Sequence, residues 1–346
     1  MTEYLTPGRT CPLSYRYGAA SLNRAADFSA QTMYVIGGLY GNPFALDALL
    51  RLKGIEPDAQ LVFNGDFNWF DIDDADYARI NTEVLQHRAI RGNVETELLA
   101  GDAAAGCGCG YPDYVSDADV ARSNAMMGML SATATRQRAL SQRIAALPMN
   151  LVAAVRMDDA SGSHGNALRV GIVHGDAESL AGWAFAEEAI VPAQVAGMFE
   201  RARVRVFASS HTCLPVGETY ATAQGECALF NNGAAGMPNF AGPSYGLITR
   251  ISARPAPRAL GALYGTVLDD ANAGVHLDCV PLHYDQAAWL KHFDRHWPAA
   301  SPAALSYRKR IVAGPNYTLN QAVRGRVTQS NPPAGTYQAQ VTAIAA

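Results

Sequence analysis

Short apolar runs, each ending in glycine and a ligand-type or amide side chain, constrain this chain more than any other feature. Met33-Tyr-Val-Ile36 runs into Gly37-Gly38-Leu39-Tyr40-Gly41-Asn42, and Leu61-Val-Phe63 into Asn64-Gly65-Asp66. Leu168 to Val173 ends at His174-Gly175-Asp176, and residues 204–208 at Ser209-Ser210-His211-Thr212-Cys213. Apolar runs of this length bounded by turn residues read as buried strands. Helical segments alternate with the first of them. Asn42 is a good cap and Pro43 suits the first helical position, so a helix is expected from there to Gly54, with Leu46, Leu49, Leu50 and Leu52 inward. A second is expected over about Asp74 to His87, before the turn Arg91-Gly92-Asn93. Strand, loop, helix in repetition predicts an α/β sheet with functional loops at the strand ends.

Residues 116–146 carry the longest helical pattern, through Val120, Met127, Leu130, Leu140 and Ile144. After Pro148 the texture becomes β. Asn150–Arg156 and Leu168–Val173 read as a hairpin across the polar loop Asp158 to Gly165, with strands at 204–208, 227–231, 246–252 and 275–282 and a helix over 285–294. No repeat or linker divides the chain, so one domain over 1–346 is expected, with a core of about 32–314 and peripheral ends.

Composition narrows the function classes. Apolar residues are 49% and charged residues 17%, against about 25% charged in an average soluble protein; disorder needs the opposite balance. The net charge is −4, from 27 basic and 31 acidic residues, and no basic stripe marks a nucleic-acid surface. No apolar run is long enough to span a membrane, and the start lacks the pattern of an export signal. Six cysteines (11, 107, 109, 213, 227 and 279) form no CxxC pair. These traits predict reduced thiols in a cytoplasmic globule.

Asp66, Asn93, His174 and His211 follow apolar runs in order, so one sheet edge brings them together. One carboxylate, one amide oxygen and two imidazoles make a shell for Zn, Mn or Fe. The plain alternative is a hydrogen-bonded structural cluster without metal.

That order resembles the calcineurin-like metallophosphoesterase superfamily over roughly residues 32–314. The family's successive motifs correspond to Gly38-Leu39-Tyr40-Gly41-Asn42, Gly65-Asp66, Gly92-Asn93-Val94-Glu95, His174 and Ser210-His211-Thr212-Cys213, followed by the turn Asn232-Gly233-Ala234-Ala235-Gly236. The resemblance implies a four-layer α/β/β/α sandwich and a phosphoric ester hydrolase working on a small-molecule phosphate mono- or diester. It also implies two metals about 3.5–4 Å apart that activate water. Asp66, Asn93, His174 and His211 would hold one metal. The other site's own positions are Gly38, Tyr40 and Cys213, which lack the family's Asp and His. One divalent metal (Mn, Fe or Zn) is therefore expected and a second is not. The residue after the motif Asn, which in the family meets the phosphate or protonates the leaving oxygen, is Val94. Asp176 stands where some members place another His; a carboxylate there repels phosphate unless it serves as a general acid. Glu95 fits a residue that orients the ligands. Two functions follow: a metal-dependent phosphoesterase with a degenerate second site, or a catalytically inactive relative used as a binding or regulatory module. The sequence carries no sign of oligomeric state.

Other candidates read more simply. Cys107 and Cys109 suit buried packing over a soft-metal or redox role, and Cys213 a small apolar filler over a thiolate ligand. Asp71, Asp73 and Asp74 suit a helix N-terminus. His292 and His296 have ligand spacing but no carboxylate in register, which leaves them, with His283, as surface residues.

Overall fold

The computed structural model describes residues 7–9, 11–100, 105–156, 167–270 and 273–330. The strands are β1 (Phe28–Ala30), β2 (Thr32–Ile36), β3 (Gln60–Asn64), β4 (Arg88–Ile90), β5 (Asn150–Val155), β6 (Leu168–Val173), β7 (Val206–Ser209), β8 (Pro215–Thr222), β9 (Gly225–Asn232), β10 (Gly246–Ser252), β11 (Tyr264–Asp270), β12 (Ala273–Leu282) and β13 (Thr328–Gln329). The helices are α1 (Pro43–Lys53), α2 (Asp74–Val84), α3 (Asn93–Glu97), α4 (Asp117–Arg136), α5 (Arg138–Ala145), α6 (Pro192–Ala202), α7 (Gln286–His296), α8 (Pro302–Ala313) and α9 (Leu319–Ala322).

Two sheets form, in the orders β1-β5-β6-β7-β9-β8 and β13-β11-β12-β10-β2-β3-β4. Side chains alternate across a strand, and here each strand feeds two cores. Met33 and Val35 of β2 join Val170, Ile172, Val206 and Ala208 of the other sheet in one cluster between the sheets. Tyr34 and Ile36, the alternate residues of β2, pack outward with Leu46 and Leu49 of α1 and with Ile80 of α2. On the far side Phe207 of β7 packs against Val195 and Phe199 of α6. The layers run helix, sheet, sheet, helix, the four-layer α/β/β/α sandwich expected from the sequence.

Local chemistry sets the element boundaries. Asn42 Oδ1 accepts from the N–H groups of Phe44 and Ala45, both at 3.0 Å, and starts α1 ahead of Pro43. Asp73 does the same for α2 through Ala75 (2.9 Å) and Asp76 (3.1 Å). Parallel pairing of β2, β3 and β4, and of β6, β7 and β9, points each set's C-terminal ends one way, which is where loops of an α/β sheet collect ligands. At that edge the sheets nearly touch: a Cβ on Gly37 would lie 2.1 Å from Ser210 Cβ, so only glycine fits.

Several expectations need correction. The long helical pattern over 116–146 is two helices, because Gln137 leaves helical geometry (φ −101°, ψ 36°). Residues outside 32–314 are built into the sandwich: β1 pairs with β5, and Tyr317 is buried with its hydroxyl donating to Pro215 O at 2.9 Å. Asp71 caps nothing; its carboxyl is buried with neither oxygen hydrogen-bonded. β5 and β6 do pair antiparallel, while their connection, 158–165, lies outside the described residues. No helix among the described residues is long and apolar enough to cross a membrane.

Candidate metal centre and cleft

Asp66, Asn93, His174 and His211 sit at the ends of β3, β4, β6 and β7, and all four are buried. Asp66 Oδ1 lies 3.3 Å from His174 Nε2. The same nitrogen lies 3.2 Å from Asn93 Oδ1 and 3.3 Å from His211 Nδ1. Ligand atoms of Asp66, His174 and His211 all fall within 4.8 Å of one another.

The groups behind these atoms decide what they offer. His174 Nδ1 lies 2.8 Å from the carbonyl of Asn64. A carbonyl only accepts, so Nδ1 carries the proton and Nε2 keeps its lone pair in the neutral ring. His211 Nε2 faces the carbonyl of Cys109 at 3.0 Å, which leaves a lone pair on Nδ1. Asn93 Nδ2 donates to Cys107 O at 3.0 Å, which turns Oδ1 toward His174. Four acceptors therefore face one point. Their mutual repulsion is relieved by a proton on His174 Nε2 or by a cation. Burial disfavours charge on His174, but the Asp66 carboxylate outweighs it and raises the imidazole pKa above its ordinary value. His211 is pushed down to about 3, by burial and by His174. Burial also works against the Asp66 charge, yet the two imidazoles hold its pKa below the usual carboxylate range.

Glu95 is the scaffold of this corner. Its buried carboxylate accepts from the backbone N–H groups of Asp66 (2.7 Å), Phe67 (3.0 Å) and Gly92 (2.9 Å). Asp66 itself holds a positive φ of 52°, a conformation costly for a residue with a Cβ, and these bonds pin it there. Burial and the Asp66 charge raise the Glu95 pKa to about 7 against the backbone donors.

The positions expected to have lost a second site lie together. Gly38 has φ +64°, and a Cβ there would sit 2.9 Å from Tyr40 Cζ. Tyr40 is buried and its hydroxyl lies 2.8 Å from Cys213 Sγ. The tyrosine ring fills the space a side chain at 38 would use, and its hydroxyl meets the residue at 213. Burial raises the Cys213 thiol pKa, so it stays protonated and donates to His211 O at 3.3 Å. Arg310 of α8 donates to Cys213 O at 2.6 Å.

Asp176 departs from its expected place. Its carboxylate accepts from the N–H groups of Glu178 (2.8 Å), Ser179 (3.0 Å) and Ala184 (3.0 Å). It organises its own loop instead of facing the cleft. Burial raises its pKa against those three donors.

The cleft at the centre is lined by Tyr40, Asp66, Trp69, Asn93, Val94, Cys109, Tyr111, Trp183, His211, Cys213 and Tyr307, with about 340 Å³ of empty space including its open mouth. Trp183 meets the His211 ring edge-on at 5.2 Å and donates to Cys109 O at 3.0 Å. Among the described residues, no Lys or Arg lines it. Trp69, Tyr111, Trp183 and Tyr307 escaped the sequence reading, since they come from four separate segments with no motif. The Cys107 and Cys109 side chains are buried, as expected, and their backbone carbonyls, which no sequence motif marks, orient Asn93 and His211.

His292 and His296 also require correction. A carboxylate does meet them: Asp76 of α2 lies 2.9 Å from His292 Nε2.

No protein-family model and no curated protein matches the chain. Among solved structures, it is similar to a metallophosphoesterase from Sphaerobacter thermophilus at 18% identity and TM-score 0.49, covering 83% of this chain and 100% of that one. It is also similar to Yfce, a phosphoesterase from E. coli, at 15% identity and TM-score 0.31, covering 63% of this chain and 87% of that one. A third, a protein serine/threonine phosphatase from Saccharomyces cerevisiae, is 14% identical at TM-score 0.36, covering 77% of this chain and 90% of that one. At these scores the likenesses assign no activity.

Proposed function

We propose that the chain is a divergent member of the calcineurin-like metallophosphoesterase superfamily, acting as a phosphoesterase with one divalent ion. The convergence of four lone pairs, from Asp66, Asn93, His174 and His211, carries this reading. The donor set fits Mn, Fe or Zn. When bound, such an ion supplies a Lewis acid for phosphate oxygen and lowers the pKa of its water.

The chain's own residues set the substrate. A lining without cationic side chains disfavours a phosphate dianion and suits the single charge of a diester. Val94, which is buried and lines the cleft, cannot protonate a leaving group. The Tyr111 and Tyr307 hydroxyls are made poorer acids by burial, which raises both pKa values. The site therefore favours leaving groups that depart unprotonated, such as aryl oxides, and Trp69, Tyr111, Trp183 and Tyr307 offer faces for an aromatic ring. Asn93 and His211 are held from behind by the carbonyls of Cys107 and Cys109, which keeps their ligand atoms turned toward the ion's place. The second reading, an inactive binding module, draws on Tyr40 occupying the space beside Gly38.

The test is metal analysis of protein purified without chelator, combined with turnover of bis(4-nitrophenyl) phosphate and 4-nitrophenyl phosphate with added Mn²⁺. The phosphoesterase reading expects diester turnover that Asp66→Ala abolishes. Fewer than about 0.2 metal ions per chain with no turnover refutes it in favour of the binding module.

A further inference from the structure

The triad Asp76, His292 and His296 lies apart from the cleft, between the helices outside the seven-stranded sheet. Phe70 separates the two places, packing on Tyr40 at 5.9 Å and on Phe293 at 5.2 Å between ring centroids. We propose that Asp76, His292 and His296 form a second, independent metal site for a first-row transition ion such as Zn²⁺, Co²⁺ or Ni²⁺.

Helix geometry builds half of it. His292 and His296 are i and i+4 in the last turns of α7, so they share a face, and their rings lie 4.6 Å apart. The third donor arrives from α2. Asp76 Oδ2 is 2.9 Å from His292 Nε2, and one ligand atom from each of the three lies within 4.8 Å of the others. Donors bonded at about 2.0–2.1 Å in a tetrahedral shell sit roughly 3.3 Å apart. The Asp76–His292 pair is already near that spacing, and the His296 ligand atom lies within 4.8 Å of both.

The donors are also held from behind. Asp76 follows the cap Asp73, which accepts from its backbone N–H at 3.1 Å. His292 is stacked on Trp289 at 5.9 Å and 22° between planes, with Phe44 edge-on at 6.0 Å. His296 makes no hydrogen bond among the described residues, so its lone pair is uncommitted. Two imidazoles and one carboxylate select borderline transition ions over Ca²⁺ or Mg²⁺, which take oxygen ligands. The group is partly exposed, with 19% of each side chain accessible at Asp76 and His292. Solvent can therefore complete the shell, and the ion would cross-link α2 to α7.

The experiment strips the full chain with EDTA and titrates it with Co²⁺, reading bound equivalents by dialysis and geometry by visible d–d absorption. Wild type is expected to bind one equivalent more than His296→Ala, with affinity at that site falling at least about 100-fold. Asp76→Asn should lose the same equivalent, and provides the readout if His296→Ala does not fold. Asp66→Asn should keep it, which separates this site from the cleft whatever the cleft binds. Equal stoichiometry and spectra in wild type, His296→Ala and Asp76→Asn overturn the proposal.

Discussion

If the Tyr40 ring has taken the place of a ligand at position 38, the two positions must be energetically coupled. A double-mutant cycle of Gly38→Ala and Tyr40→Ala measures that coupling. At Gly38, φ is +64° and the new Cβ lies 2.9 Å from Tyr40 Cζ. Left-handed backbone with a Cβ costs about 1 kcal/mol, and the overlap with a packed ring adds about 1–3 kcal/mol. Gly38→Ala alone should therefore destabilise by about 2–4 kcal/mol on those two grounds. Tyr40 is 3% exposed and bonded to Cys213, so Tyr40→Ala should cost about 3–5 kcal/mol as a core truncation. In the double variant the ring is gone and the overlap with it. Only the backbone term of about 1 kcal/mol remains at position 38, so the pair should be less destabilising than the sum by about 1–3 kcal/mol. Guanidinium denaturation in EDTA, followed by the fluorescence of the four tryptophans, reads all four corners. Additivity within about 0.5 kcal/mol would refute the claim that the ring fills the space beside Gly38.

Replacing Gly38 with Asp and Tyr40 with His together is expected to raise bound Mn²⁺ by up to one equivalent per chain, measured by dialysis; unchanged stoichiometry means that Cys213 or the backbone still blocks the site. Arg250 is fully buried between Glu56 and Asp278, with contacts of 2.8 Å to each. Arg250→Met leaves two carboxylates without their cation and should destabilise by about 3–5 kcal/mol in denaturant. Asp71 is buried without partners, and burial, with Asp76 and Asp73 nearby, raises its pKa well above the ordinary value. The folded state therefore holds this proton more tightly than the unfolded chain. The resulting stability is complete below the unfolded pKa of about 3.9 and is lost as pH rises through the folded pKa. Asp71→Asn should accordingly raise the melting temperature at pH 8 and leave it nearly unchanged at pH 4; an equal effect at both values contradicts a buried, proton-holding carboxyl.

Much of the architecture was legible because strand signals are local. Alternation along Met33 to Ile36 fixes two faces, and the structure spends one on each core. The cap at Asn42 and the ends at Asp66, His174 and His211 could be read for the same reason. Short or polar strands could not: β4 has three residues and β13 two, too few for a period. Tertiary pairing alone decides that they are strands.

The sequence by itself determined the alternation of strand and helix in the first half, the line of potential ligands at the strand ends, and which side chains stand at 38, 40 and 213 beside them. Tertiary structure decided what those residues do. The lone pairs on His174 and His211 are set by carbonyls 110 and 102 positions away in the chain. Tyr40 reaches Cys213 across 173 positions, and Asp76 reaches His292 only because α2 and α7 share one face of a sheet. Asp176, two residues from His174, turns to its own loop instead. Periodicity and capping act within a few residues, so a sequence displays them. The tautomer of a histidine, the space beside a glycine and the partner of a carboxylate depend on atoms that only folding brings within hydrogen-bond reach.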